Sequence, residues 1–281
     1  MLRFSLVTPT LNQGRFLRRT IESVLQQQGP FELEYRVIDG GSQDETLAIL
    51  EQYRGQLAYV SEADSGQVEA INKGLALSRG DVVGWLNSDD FLLPAALERV
   101  ADAFNRHPEA EWVHGRCLII NEADQEIRRW ISYYKHQLAR RHTLDRLLIE
   151  NYVSQPTAFW RRSVLDAVGD LEPSIPYAFD YDMWIRLARR GAPVYLEQPL
   201  ACFRWHEASL GGRDFETQLK QNSAVAARYA GGRRSILLQK KLAIAVTLIT
   251  YRVMALARRA GAALGRRLAR PSRDPSGPRG L

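Results

Sequence analysis

Apolar and polar positions alternate between two periods along this chain. Short apolar runs at Phe4–Thr8, Glu34–Ile38, Ala58–Ser61 and Val82–Leu86 read as strands. Arg15–Gln27, Asp44–Tyr53, Val68–Leu77 and Pro94–Asn105 carry apolar residues at helical spacing, with Gly14, Gly55 and Gly80 as punctuation. Strand–helix alternation at this spacing predicts an α/β fold with a mostly parallel central sheet and helices on both faces. Beyond Glu111 three strand-like runs follow, Glu111–His114, Cys117–Asn121 and Ile127–Ile131, the last two joined by a hairpin turn at Glu122–Gln125. His136–Arg146 has helical spacing. Its Lys135, Arg140, Arg141 and Arg146 suit a solvated face or contact with an anionic carrier or acceptor. Tyr152–Arg162 reads as a strand entering a helix near Ser163–Val168, and another helix starts near Tyr181 with Met183, Trp184 and Leu187 inward. A C-terminal helical extension closes the pattern: Asp214–Tyr229, a break at Gly231-Gly232, then Ser235–Arg259.

The strands stop in polar clusters: Thr8-Pro9-Thr10-Leu11-Asn12, Asp39-Gly40-Gly41-Ser42-Gln43-Asp44, Glu62-Ala63-Asp64-Ser65-Gly66 and Asn87-Ser88-Asp89-Asp90. Parallel strands align their carboxyl ends, so the four clusters converge on one rim, where open α/β sheets bind ligands. Asp89 and Asp90 repel each other, and a cation is the usual reason to keep both ionised; one of them capping the helix at Pro94 is the alternative. The pair Gly40-Gly41 lets backbone approach a flat ligand, with Asp39 beside it as acceptor for a base N–H or as a turn residue. Neither Gly-x-Gly-x-x-Gly nor the phosphate loop occurs. Asp180, at the start of its helix, is either an N-cap or a partly desolvated carboxylate fit to take a proton. Asp182 is spaced to pair with Arg186. Trp130, Tyr133 and Tyr134 suit the core or an acceptor groove.

Charge changes the picture at the C-terminus. Of 38 Lys/Arg and 32 Asp/Glu, thirteen basic residues and one acid, Asp274, fall from Arg228 onward. The body is therefore mildly acidic and the tail strongly basic, which points to a tail that meets an anionic surface, lipid or nucleic acid, and away from a nucleic-acid-gripping body. The uncharged stretch Leu242–Tyr251 is about half of what a membrane span needs. An interfacial helix flanked by Lys240, Lys241, Arg252, Arg258 and Arg259 fits it, as does a helix docked on the body. Two distant cysteines, Cys117 and Cys202, and no signal-peptide leader suit a cytoplasmic protein, peripheral on the inner membrane's cytoplasmic face.

The ordered set Thr8-Pro9-Thr10-Leu11-Asn12, Ile38-Asp39-Gly40-Gly41-Ser42-Gln43-Asp44, Asp64-Ser65-Gly66-Gln67 with Ala70-Ile71-Asn72-Lys73-Gly74, and Gly84-Trp85-Leu86-Asn87-Ser88-Asp89-Asp90 resembles family 2 inverting glycosyltransferases. The resemblance implies a Rossmann-like GT-A domain over 1–210; beyond it the pattern reads as the helical extension at 211–260 and the composition as a basic disordered tail at 261–281. It implies a nucleotide-sugar donor, most often a UDP-sugar, held by Thr8, Asp39, Asp64 and Asp89. Lys73 is a donor contact or a solvated helix residue. Asp90 would ligate Mg²⁺ or Mn²⁺. Cys202-Phe203-Arg204-Trp205-His206 resembles the family's Arg-x-His strand, which implies Arg204 on the diphosphate and His206 as a second metal ligand. Asp180 would be the catalytic base, although Phe179 stands where the family usually has Glu. The acceptor would be a saccharide or lipid-linked saccharide in surface polysaccharide or lipopolysaccharide assembly. Two rivals are a nucleotidyltransferase, disfavoured because Thr8–Gly14 has no basic residue, and a degenerate sugar-binding scaffold, disfavoured by Asp90 and Asp180 together.

Overall fold

The computed structural model describes residues 1–207, 209 and 214–250. In chain order the first elements are β1 (Leu2–Thr10), α1 (Gly14–Leu25), β2 (Phe31–Asp39), α2 (Thr46–Gln52), β3 (Ala58–Ser61), α3 (Gln67–Ala76), β4 (Val82–Trp85), β5 (Phe91–Leu92) and α4 (Ala96–Arg106). There follow β6 (Trp112–Ile120), α5 (Arg129–Ala139), α6 (Leu144–Ile149), β7 (Phe159–Arg161), α7 (Leu165–Val168), α8 (Phe179–Ala188), β8 (Val194–Arg204) and α9 (Phe215–Tyr229). The last described helix, α10, covers 234–250. The strands form one sheet in the order β3-β2-β1-β4-β7-β6-β8-β5. β3, β2, β1 and β4 are mutually parallel, β6 and β8 run the same way, and β7 and β5 run against them.

Apolar residues alternate in and out of this sheet, so each face buries its own core. One core holds Phe4, Leu6, Leu17, Val37, Leu97 and Phe104 under α1, α2 and α4. The other gathers Val7, Ile71, Trp85, Trp112, Trp160 and Trp184 under α3 and α8. There Trp184 lies parallel to Trp85 at 5.5 Å and to Trp112 at 6.3 Å between ring centroids. Truncating a buried ring of this size costs about 3–5 kcal/mol, so this stack fixes α8 firmly against β4 and β6.

Two expectations change. Glu111–His114 and Cys117–Asn121 are one strand, interrupted by register shifts on either side of Arg116. Ile127–Ile131 is not a strand: the hairpin closes with a single bridge, Ile120 to Glu126, and α5 starts at Arg129. The apolar alternation there is outweighed by helical spacing, which turns Ser132, Lys135, His136 and Ala139 to one side.

The C-terminal helices share the main core. Asp214 caps α9 by accepting from the Thr217 N–H at 3.0 Å, and Val225, Ala226 and Ile236 are buried in the tryptophan-rich cluster. Lys240 is buried with its ammonium 4.8 Å from the Tyr181 ring centre. The α10 residues Leu238, Leu242, Val246 and Ile249 are exposed. Residues 251–260 of the expected extension and the basic tail 261–281 lie outside the described residues. Among the described residues, no helix is long and apolar enough to cross a membrane.

Candidate active site

The parallel strands bring the polar clusters together. Thr10 pairs with Asp39 and Asp39 with Ser61, and the Leu86 N–H donates to the Val7 carbonyl at 2.8 Å. β8 ends at the same rim with Arg204, followed by Trp205 and His206.

Three residues expected at the donor have side chains engaged within the protein. Thr8 is fully buried, in phase with Phe4 and Leu6, and its hydroxyl meets the Tyr35 hydroxyl at 3.0 Å inside the core. Asp39 is fully buried and already accepts four hydrogen bonds: the Gly41 N–H (3.2 Å), the Ser42 N–H (3.0 Å), the Ser42 hydroxyl (2.5 Å) and the Ser61 hydroxyl (2.6 Å). Three of these fall on Oδ2 and one on Oδ1, so Asp39 builds the Gly40–Ser42 loop. Arg204 is buried and donates to the Asp89 carbonyl (2.9 Å) and the Asn121 carbonyl (2.9 Å), with Asp124 at 2.6 Å. Its guanidinium also lies 4.6 Å from the Phe16 ring centre. Its Nε and Nη1 brace β8 to the Asp89 turn and the Asn121 turn.

Asp64 remains open to the rim. Its Oδ1 accepts the Gly66 N–H at 2.9 Å, and its Oδ2 lies against Gly40, where an added Cβ would approach it to 2.9 Å. Only glycine fits under that carboxylate. Burial, then Glu69 and Asp39, raise the Asp64 pKa. Lys73 ion-pairs with Glu62.

At the paired aspartates the structure separates two roles. Asp90 is buried; its Oδ1 accepts the Arg204 N–H at 2.8 Å, and its Oδ2 has no partner. Burial, reinforced by Asp89, pushes its pKa well above the carboxylate range. Asp89 instead reaches the rim, where its Oδ2 lies 3.0 Å from His206 Nε2. Asp89 and His206 thus meet at the rim, while Asp90, expected with His206 at the metal, keeps one carboxylate oxygen without a partner. A carboxylate and an imidazole suit Mn²⁺ or Mg²⁺, which keep further positions for water and phosphate oxygens. Among the described residues there is no cluster of three or more His, Cys, Asp or Glu side chains able to hold a metal. Arg15 Nη2 lies 3.4 Å from His206 Nδ1. Guanidinium only donates, so Nδ1 accepts and Nε2 carries the proton; a cation at Nε2 requires the other tautomer and frees Arg15 from the ring.

Asp180 sits in the first turn of α8. Phe179 before it is buried 5.9 Å from Trp85, and the Tyr181 hydroxyl after it donates to the Leu147 and Leu148 carbonyls, each at 2.8 Å. The helix start is therefore clamped beside the end of β4. Burial pushes the Asp180 pKa up to about 6, against the lowering effects of the Tyr181 N–H and the Lys135 ammonium. Asp182 does pair with Arg186, at 2.8 Å, and is structural.

Several rim residues were not anticipated. Asn87 accepts from Gln67 at 2.8 Å, joining the β4 turn to α3. Gln155 donates to the Trp85 carbonyl at 2.7 Å. Arg15 had no motif to flag it. Lys135, expected on a solvated face, is turned inward toward Asp180 and Glu150, and burial lowers its pKa.

The family model described as glycosyl transferase family 2 matches residues 5–169. A PGL/p-HBAD biosynthesis glycosyltransferase of Mycobacterium tuberculosis is 30% identical over 189 residues, covering 65% of this chain and 68% of that protein. Chondroitin synthase of Escherichia coli is 30% identical over 190 residues, covering 66% of this chain but only 26% of its own length. Among solved structures, S. aureus TarS 1-349 with UDP-GlcNAc has a TM-score of 0.59 at 18% identity, covering 82% of this chain and 67% of that chain. The present chain spans 40% of a longer TarS chain. The mannosyltransferase PcManGT from Pyrobaculum calidifontis, in complex with GDP-Man and Mn²⁺, has a TM-score of 0.62 at 17% identity, covering 94% of this chain and 81% of that chain.

Proposed function

This chain belongs to glycosyltransferase family 2 and has the GT-A fold, and from that premise we propose an inverting transferase that moves a sugar from a nucleotide-sugar donor to an acceptor hydroxyl. The observation that carries the reading is Asp180, a carboxyl of raised pKa clamped at the start of α8 beside the strand end that leads to Asp89 and His206.

The donor base and ribose rest on the Gly40–Ser42 loop near Asp64, and the diphosphate faces Asp89, His206 and Arg15. Asp180 accepts the acceptor hydroxyl's proton as that oxygen attacks the anomeric carbon. The new C–O bond forms opposite the breaking bond to the diphosphate oxygen, which leaves with the electron pair, so the anomeric centre inverts. Held by Asp89 and His206, Mn²⁺ or Mg²⁺ would supply charge stabilisation to the leaving diphosphate. Arg15, half exposed and able to leave the His206 ring, adds a positive charge at the same place.

UDP-sugars are the favoured donors, in keeping with the UDP-GlcNAc held by TarS 1-349; the GDP-Man held by PcManGT keeps guanosine donors in play. The acceptor is a saccharide or lipid-linked saccharide of surface polysaccharide assembly, met by a protein peripheral on the cytoplasmic face of the membrane. The exposed Leu238, Leu242, Val246 and Ile249 on α10 and the exposed Trp130, Tyr133 and Tyr134 on α5 support contact with a lipid interface.

The test is a screen of nucleotide sugars with Mn²⁺ by thermal shift, followed by hydrolysis and transfer assays with product anomer analysis. Stabilisation by a nucleotide sugar and an inverted product are expected. Absence of stabilisation by every nucleotide sugar, or a retained anomer, refutes the reading.

A further inference from the structure

Between β6 and α5 lies a small, partly open recess. Two strong cations line it, Arg116 from β6 and Lys135 from α5, together with Ser132, Ser154, His136 and Tyr195. No carboxylate is among its lining residues.

The backbone is shaped to aim these cations. The register of β6 against β8 shifts between Gly115 and Arg116 and again between Arg116 and Cys117. Such irregularities re-aim a side chain that regular pairing would direct elsewhere. On α5, Ser132, Lys135, His136 and Ala139 follow the i, i+3, i+4, i+7 spacing of one helix face, and all four line the cavity.

The polar groups there lack partners. Among the described residues, neither Arg116 nor Lys135 makes an ion pair or a side-chain hydrogen bond, and Arg116 Nε and the Ser132 hydroxyl are buried without a partner. His136 Nδ1 and the Tyr195 hydroxyl satisfy each other at 2.7 Å, and Glu197 is engaged by Arg140 at 2.9 Å. Lys135 interacts electrostatically with Asp180 and Glu150 but touches neither. Arg116 and Lys135 are half-buried, a cation drawn partly out of water without a partner is costly, and orphaned donors facing one space call for an acceptor of opposite charge.

We propose that this cavity binds an anionic substituent, a carboxylate or a phosphate, of the acceptor whose hydroxyl is presented to Asp180. The proposal rests on the glycosyltransferase reading. It narrows the acceptor to an acidic saccharide or a phosphorylated one. Arg116 and Lys135 hold the charge, Ser132 and Ser154 donate the remaining hydrogen bonds, and Lys135 links the anion electrostatically to the base.

Calorimetric titration of the full chain tests this, with UDP and Mg²⁺ at saturation so that the donor rim is filled. The probes are inorganic phosphate, methyl glucuronide and the neutral methyl glucoside. One anion should bind about tenfold or more tighter than the glucoside, the effect of about one charge-assisted hydrogen bond. Preference for phosphate identifies a phosphorylated acceptor, and preference for glucuronide identifies a uronic acid. Arg116→Gln and Lys135→Gln should each weaken anion binding about tenfold and leave UDP affinity unchanged. Lys135→Gln, on a helix, carries the test if the strand variant does not fold. Binding of neither anion, equal binding of the glucoside, or full anion affinity in Lys135→Gln overturns the proposal. Failure of UDP to bind marks failure of the underlying donor reading instead.

Discussion

Replacing Asp180 by Asn separates activity from stability. In the folded protein, burial raises this carboxyl from 3.8 to about 6. Between those values the folded state holds a proton that the unfolded state has lost, so stability falls as pH rises through this window. Above pH 6 the charged group is a standing cost. A shift of about two units corresponds to roughly 3 kcal/mol. Asparagine is nearly isosteric and uncharged, so the variant escapes most of that cost at neutral pH and none of it below pH 4. For a chain of this size the gain reads as roughly 3–10 °C in Tm at pH 7.5, shrinking to nothing at acid pH. Transfer should fall about 100-fold or more, the usual contribution of a general base, with nucleotide-sugar affinity unchanged. In the wild type, transfer should rise with pH through an apparent pKa near 6. Scanning calorimetry at several pH values and single-turnover transfer are the two measurements. A variant no more stable than wild type at pH 7.5, or one that transfers normally, refutes the assignment of Asp180 as a buried base.

The neighbouring residues give further contrasts. Asp89→Asn and His206→Gln should abolish the tightening of nucleotide binding by Mn²⁺, read by titration with and without chelator. Asp90→Asn should leave that tightening in place, and loss of it there would return the metal to Asp90. Arg204→Leu removes donors from two carbonyls and from Asp124 and should destabilise the fold by about 3 kcal/mol or more, measured by urea unfolding. A Leu238→Glu, Leu242→Glu double variant should lose sedimentation with anionic vesicles while keeping its melting temperature, because both side chains are exposed; unchanged sedimentation removes the membrane contact.

Much of the rim was legible because its cause is local. Apolar runs that stop at Thr10, Asp39, Ser61 and Trp85 can form parallel strands only by stacking those ends together. Side-chain direction at the ends was less legible. Thr8 shares the parity of Phe4 and Leu6, a signal in plain view that places it inward. Asp39 and Arg204 carry the right charges, but their partners come from Ser61, Asn121 and Asp124, chosen by tertiary structure. The division of labour between Asp89 and Asp90 depends on β8 supplying its Arg204 N–H to one and His206 to the other. Arg116 could not be read, since its direction depends on irregular strand pairing, and Lys135 was read only as one of four basic residues of a helical stretch, on a solvated face or against an anionic carrier or acceptor.

The tryptophan stack has a consequence for motion. Trp184 is gripped between Trp85 and Trp112, so α8 and its Asp180 share one rigid body with the β4 and β6 halves of the sheet. The base does not travel to its substrate. Adjustment during a turnover falls to the segments that end in glycine or in left-handed turns, Gly40–Gly41, Gly66 and Asp124–Arg128, which lie on the donor side of that body. On the proposed reading the acceptor meets a fixed wall and the donor a pliable one. Saturating donor should accordingly quench exchange of amides in those loops while leaving the α8 amides as slow as before.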